Sequence, residues 1–139
     1  MKKIVFTEDL KTGIERIDNQ HIQLIQKIND FLEKLGNSDS KVISSDLEEI
    51  FDFMAEYAKF HFSDEEKLME EHECPILNLQ KMQHQFFMLE ANKLKFDLTT
   101  KGLTQEIMER ATKLLIDWIS SHISNMDKKI KNCIHKNEQ

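Results

Sequence analysis

"DLEEIFDFMAEYAKFHFSDEE", residues 46–66, decides the fold. No glycine or proline interrupts it. Ile50, Phe53, Met54, Tyr57, Phe60 and His61 lie along one broad stripe at helical spacing, the pattern of an amphipathic helix. Followed outward, this helix reads from about Lys41 to His72, where "ECP" ends it, because Pro75 cannot continue a helix without losing a hydrogen bond. At ~1.5 Å per residue it is roughly 45 Å long.

Three further segments share the pattern. The first reads from about Asp18 to Leu35, with Ile22, Ile25, Ile28 and Leu32 on one face and Gly36 as a natural stop. A Ser or Asp of "GNSDS" can cap the second helix. The third helix reads from about Ile76 to Leu98, with "TTKG" as the following turn. The fourth reads from about Thr104 to His135, with Ile107, Ala111, Leu114, Leu115, Trp118, Ile119, His122 and Ile123 inward. Residues 1–17 read as an extended arm. Short loops between long helices imply antiparallel neighbours, so the expected fold is all-α: an up-down-up-down four-helix bundle forming one domain over residues 1–139. The inward stripes are accounted for by one core, so a monomer is expected.

Composition narrows the function classes. The 139 residues hold 3 Gly and 1 Pro, charged residues make up 32%, and the net charge is −6. An acidic chain argues against nucleic acid or an anionic membrane surface as partner, since both need clustered Lys and Arg. The basic tail "DKKIKNCIHK" is too short to reverse that. No apolar run approaches the roughly 20 residues of a membrane span, and "MKKIVFTEDLK" lacks the apolar stretch of a signal peptide. Cys74 and Cys133 form no CxxC pair and suggest no disulfide framework, so a reduced, cytoplasmic setting is expected.

Position says more about the histidines than number does. His21, His61, His84 and His122 fall one on each helix, on or beside its apolar stripe. A single such histidine is more often a satisfied core residue; four are hard to explain separately, and bundles build metal sites by aiming side chains from facing helices inward. His61 and Glu65 are four apart, with Cβ atoms ~5–6 Å apart on one helix face. His122 and Asp127 are five apart, about 140° around a regular helix of ~3.6 residues per turn, so either Asp127 reaches inward or the helix distorts. Glu66, Glu70 and Glu71 read as a solvated face, and His72 and His135 as exposed and unligated. Histidine with carboxylate suits iron, zinc or manganese. Two carboxylates among four histidines are enough to bridge two ions, and a core needing only volume has no reason to bury two charges.

Four stretches carry a resemblance: "DLKTGIERIDNQH" (9–21), "HFSDEEKLM" (61–69), "CPILNLQKMQHQFF" (74–87) and "WISSHISNMD" (118–127). In order and spacing they resemble the hemerythrins, most closely the single-domain bacterial form. The resemblance implies O2 binding at a non-haem di-iron centre. By motif, His21 and His61 would hold one iron and His84 and His122 the other. Glu65, Asp127 and a solvent-derived oxygen would bridge the two. Ile119 and Ile123 match apolar positions lining the family's oxygen pocket, and Trp118 reads as core packing. Phe6 stands where many bacterial members have Trp, and either aromatic can pack on the bundle.

One position departs from the family. Four residues before His84, where the hemerythrins carry a third histidine on the second iron, this chain has Gln80. Gln80 could coordinate through its carbonyl oxygen, hold a water at the site, or leave the second metal poorly bound. The leading expectation is a non-enzymatic protein for O2 carriage, storage or sensing, with no catalytic residue assigned. The alternatives are an altered centre with peroxidase-like or oxidase-like chemistry and a partly loaded metal-binding bundle.

Overall fold

A computed structural model describes residues 4–35 and 40–137. Among them there is no strand. The helices are α1 (Glu15–Leu35), α2 (Ser40–Glu71), α3 (Leu77–Lys101), α4 (Gln105–Thr112), α5 (Ile119–His122) and α6 (Lys128–Asn137). The last three belong to one continuous rod. π-Helical turns over Lys113–Trp118 and Ile123–Asp127 join them, and every junction residue with a stated conformation stays in the right-handed helical region. The chain is an all-α bundle of four rods. α1 packs on α2, α2 on α3, and α3 on α4. Gly36 and the "GNSDS" cap lie largely outside the described residues.

The ends of the rods follow local chemistry. α1 starts three residues before Asp18 because the Asp18 carboxylate folds back to accept from the Thr12 N–H and hydroxyl at 2.8 Å and from the Gly13 N–H at 3.2 Å. Gly13 meets this turn with a φ of 83°, which glycine adopts without strain. The arm before it is anchored too. Asn29 exchanges two 2.8 Å hydrogen bonds with the Ile4 backbone, and Phe6 packs on the core. α3 runs through the expected "TTKG" turn. The Thr99 and Thr100 hydroxyls donate to the carbonyls of Lys95 and Phe96 at 2.9 Å, so the helix continues to Gly102, whose φ of 75° closes it. Thr104 caps α4 by accepting from the Ile107 N–H at 3.1 Å.

The core is divided. The larger part includes Ile28, Leu47, Ile50, Phe87, Leu98 and Leu115; burying each such side chain fully contributes roughly 1.5–3 kcal/mol. A smaller cluster of Met69, Cys74, Ile130 and Ile134 closes the other end. Phe60, expected on the inward stripe, is 71% exposed. The buried face of α2 instead runs through Met54, Ala58, His61, Glu65 and Met69, and Phe60 stands about 100° off it.

The cysteines correct a second expectation. Cys74 and Cys133 are joined in a disulfide, with Cα atoms 5.7 Å apart. Glu73, at φ 52°, takes the chain out of α2 and over the bundle end, where Cys74 meets α6. The expectation of a reduced, cytoplasmic setting rested on unpaired thiols and loses that support. Among the described residues no helix is long and apolar enough to cross a membrane.

Candidate metal centre

Between the two parts of the core lies a polar layer. Among the described residues, the buried polar or charged side chains are Thr12, His21, His61, Glu65, Gln80, His84, His122 and Asp127. All but Thr12 meet in this layer. α1 supplies His21, α2 His61 and Glu65, α3 Gln80 and His84, and the fourth rod His122 and Asp127. The i,i+4 spacing of His61 and Glu65 brings the imidazole Nε2 against a carboxylate oxygen. The five-residue spacing of His122 and Asp127 is met by distortion of the helix. Ile123–Asp127 is the π-helical turn, whose i→i+5 bonding brings Asp127 onto the His122 face, with Oδ1 3.4 Å from His122 Nε2.

The side chains form two overlapping groups whose donor atoms lie within 4.8 Å of one another: His21, His61, Glu65 and Asp127, and then Glu65, His84, His122 and Asp127. The two carboxylates are common to both. His21 Nε2 stands 2.9 Å from His61 Nε2, 3.2 Å from Glu65 Oε1 and 3.1 Å from Asp127 Oδ2.

Partners outside each group fix three of the four imidazoles, His21 Nδ1 having no hydrogen-bond partner. His61 Nδ1 donates to the Gln20 carbonyl oxygen at 2.7 Å, and the Gln20 amide nitrogen donates to Asp64 at 2.9 Å. Asp64 also accepts from Arg16 at 2.7 Å. His84 Nδ1 donates to the Glu66 carboxylate at 2.8 Å, and His122 Nδ1 to the Gln83 carbonyl oxygen at 2.8 Å. These partners can only accept, so each takes the Nδ1 proton and leaves Nε2 to face the centre. Rings hold the planes. Phe62 stacks on His84 at 3.8 Å and Trp118 on His122 at 4.5 Å, while Tyr57 stacks on His61 and donates to the Gln20 backbone carbonyl.

Gln80 is fully buried at the heart of the layer. Its amide nitrogen donates to Glu65 Oε2 at 2.7 Å and to Asp127 Oδ1 at 2.6 Å, clamping both shared carboxylates. Its Oε1 has no hydrogen-bond partner, nor have His84 Nε2 and His122 Nε2. Leaving a buried polar atom unpaired costs about 1–3 kcal/mol, so three at one point call for something to satisfy them. Two ionised carboxylates beneath lone-pair nitrogens call for positive charge. Without a metal, protons supply it. Burial alone would lower His21, but hydrogen bonds to Asp127 and Glu65 and their charges raise it to about 10. His84 is raised against its burial by Glu65 and Glu66. Burial opposes ionisation of Glu65, yet the charge on His61 and hydrogen bonds from His21 and His61, with His84 Nε2 3.5 Å away, hold it well below the usual carboxylate range. A cation can replace those protons, and the donor set of imidazole, carboxylate and one amide oxygen fits one.

Above the layer is a cavity of about 20 Å³, just over the ~10–15 Å³ that one water needs. Leu24, Met54, Phe87, Ile119 and Ile123 line it, and His21 and His61 reach its floor.

Gln20, Glu66 and Gln83 escaped the sequence reading. Glu66, read as part of a solvated face with Glu70 and Glu71, is bonded to His84; only the other two glutamates are exposed. His72 is half-buried, with Nδ1 bonded to the Leu68 carbonyl at 3.0 Å, and joins neither group of donors. The side chain of His135 lies outside the described residues.

Comparison with known proteins agrees with this geometry. Residues 12–134 match the family model of the hemerythrin HHE cation binding domain. The bacteriohemerythrin of Pseudomonas aeruginosa is 28% identical over 127 residues, covering 91% of this chain and 78% of that protein. That of Clostridium acetobutylicum is also 28% identical, covering 89% and 95%. The myohemerythrin of Theromyzon tessulatum is 27% identical over 124 residues, covering 89% and 88%. With a cation-binding family model spanning the same stretch that builds the buried layer, the chain belongs to the hemerythrin family.

Proposed function

We propose that this chain binds O2 reversibly at a di-iron centre, with His21 and His61 on one iron, His84 and His122 on the other, and Glu65 and Asp127 shared. The observation that carries this is the pair of overlapping donor groups with both carboxylates in common. When bound, the two irons supply the electrons that O2 chemistry requires. The protein's own residues do the rest. Gln20, Glu66 and Gln83 keep the Nδ1 protons outward, so that Nε2 is free to ligate. Ile119 and Ile123 wall the cavity beside His21 and His61 and exclude water, which disfavours protonation and irreversible oxidation there. Gln80 cannot ligate through its amide nitrogen, whose lone pair is delocalised. It would turn its unpartnered Oε1 to the second iron, giving a weaker and harder donor than imidazole.

The clamp by Gln80 favours a second reading, an altered centre that oxidises readily and has oxidase-like or peroxidase-like activity. One experiment separates the two. The chain is reconstituted anaerobically with ferrous iron, metals are counted, and air is admitted. Two irons per chain and a visible charge-transfer band that fades on deoxygenation are expected. Direct passage to a stable ferric spectrum supports the second reading, and fewer than one iron per chain removes the di-iron assignment.

A further inference from the structure

α3 is apolar on two opposite sides. Gln80, His84, Phe87, Ala91, Leu94 and Leu98 point into the bundle. On the other side Leu79, Met82, Phe86, Leu89 and Phe96 are 45, 65, 51, 53 and 67% exposed, and Lys93 fills the gap between the last two. The steps from 79 through 82, 86, 89 and 93 to 96 alternate three and four, which is the seam of a coiled coil. A helix serving one bundle carries polar residues on its outer face. Neither part of the inward core uses this second stripe.

We propose that this outer stripe of α3 is the face through which two copies of this chain associate, α3 against α3, antiparallel about a two-fold axis.

Three observations select a second copy. The stripe is self-complementary in one direction only. A parallel pair would set Lys93 against Lys93, placing like charges in the seam. The antiparallel pair centred between Phe86 and Leu89 sets Phe86 against Leu89 of the second copy, Leu79 against Phe96, and the stem of Lys93 against Met82. A lone polar seam position of this kind fixes register and orientation. The flanks are compatible too: Gln83 falls opposite Glu90 and Gln85 opposite Asn92, so no like charges meet. The area is sufficient. Five such side chains leave on the order of 500 Å² of apolar surface, and their rim brings it towards the roughly 800 Å² a side of a standard interface. Gln83, whose carbonyl orients His122, stands on that rim, so association covers one outer wall of the metal centre.

The test is sedimentation equilibrium of the iron-loaded full chain from about 1 μM to about 1 mM, the range over which weak dimers form. A concentration-dependent dimer is expected. Phe86→Glu, at an exposed site that leaves helicity and iron content unchanged, weakens it on the order of 100-fold. Met82→Glu, which faces Lys93 of the second copy, keeps or tightens the dimer, whereas Met82→Lys weakens it. A monomer throughout the range, or a dimer indifferent to Phe86→Glu, overturns the proposal. Equal weakening by Met82→Glu and Met82→Lys overturns the antiparallel pairing. A monomer that binds phosphatidylcholine vesicles through this face overturns it as well, in favour of a lipid surface.

Discussion

The two halves of the metal centre are built differently. On the α1–α2 side, His61 is oriented by a neutral amide, and the chain Gln20–Asp64–Arg16 carries that orientation to the surface. On the side of α3 and the fourth rod, His84 is backed directly by the Glu66 carboxylate, and both imidazoles lie flat against aromatic rings. A carboxylate behind imidazole raises its basicity and holds it more firmly than an amide does. The better-supported half is also the one in which Gln80 stands where the family pattern has a histidine. The two halves carry two imidazoles each, so the difference lies in support: the half completed by an amide has the stronger outer partners.

The variant with the largest expected effect removes what the halves share. Glu65→Gln deletes one of the two carboxylate charges common to both donor groups while keeping the shape, and if the proposed di-iron reading holds, metal content measured by elemental analysis should fall from two to below one per chain. Equal loading of the two forms would mean that Glu65 is not common to both sites. Gln80→His should come next and act on one half only. Affinity of that half for ferrous iron should rise at least ~10-fold, the scale of a gained imidazole contact, and ferric conversion in air should slow. If metal content, spectrum and oxidation rate are all unchanged, Gln80 is not a member of the centre. Two variants of comparable effect separate the supports. Glu66→Gln and Gln20→Ala should each weaken metal binding by roughly 10–100-fold, and Glu66→Gln should be the more severe. A reversed ranking in chelator competition breaks the comparison.

The smallest effect concerns the surface ion pairs. Arg16–Asp64 leads to His61, but Arg110–Asp97, at 2.7 Å between the fourth rod and α3, leads nowhere near the layer. The hydrogen bond from Arg110 holds Asp97 below the usual carboxylate range, with Lys101 adding to it. A depressed folded pKa stabilises above the unfolded value of 3.8 and is lost as pH falls through the folded one. Arg110→Ala should therefore lower thermal stability slightly at pH 7, converge with the parent in acid, and leave iron content untouched. Its Asp97 titration, followed by NMR, should move back upward.

Much of this was legible in the residues. Helical periodicity marks the four rods, and one histidine per rod, with carboxylates near two of them, marks the layer. The mismatch between His122 and Asp127 was legible as a conflict; its resolution was not, since i→i+5 bonding is a property of the backbone. Gln20 and Gln83 reach their histidines from 41 and 39 residues away, on neighbouring rods, so no local pattern announces them. Phe60 shows the limit of a broad stripe, because one residue off the axis of burial is enough to face water. The outer seam of α3 was hidden because apolar residues on both sides of a helix blur its periodicity.

The disulfide has a consequence for how the centre assembles. Cys74 and Cys133 close a covalent ring across a separation of 59 residues. Gln80, His84, His122 and Asp127 lie inside that ring, and His21, His61 and Glu65 lie in the open chain before it. In an oxidised, unfolded chain the ring removes loop-closure entropy worth about 4 kcal/mol. It thereby raises the local concentration of four donors before any helix has docked. The half that contains Gln80 is thus the one tied together in advance, and oxidising the two thiols turns that half of the chain into a loose macrocyclic chelator awaiting the open-chain arm that carries the rest.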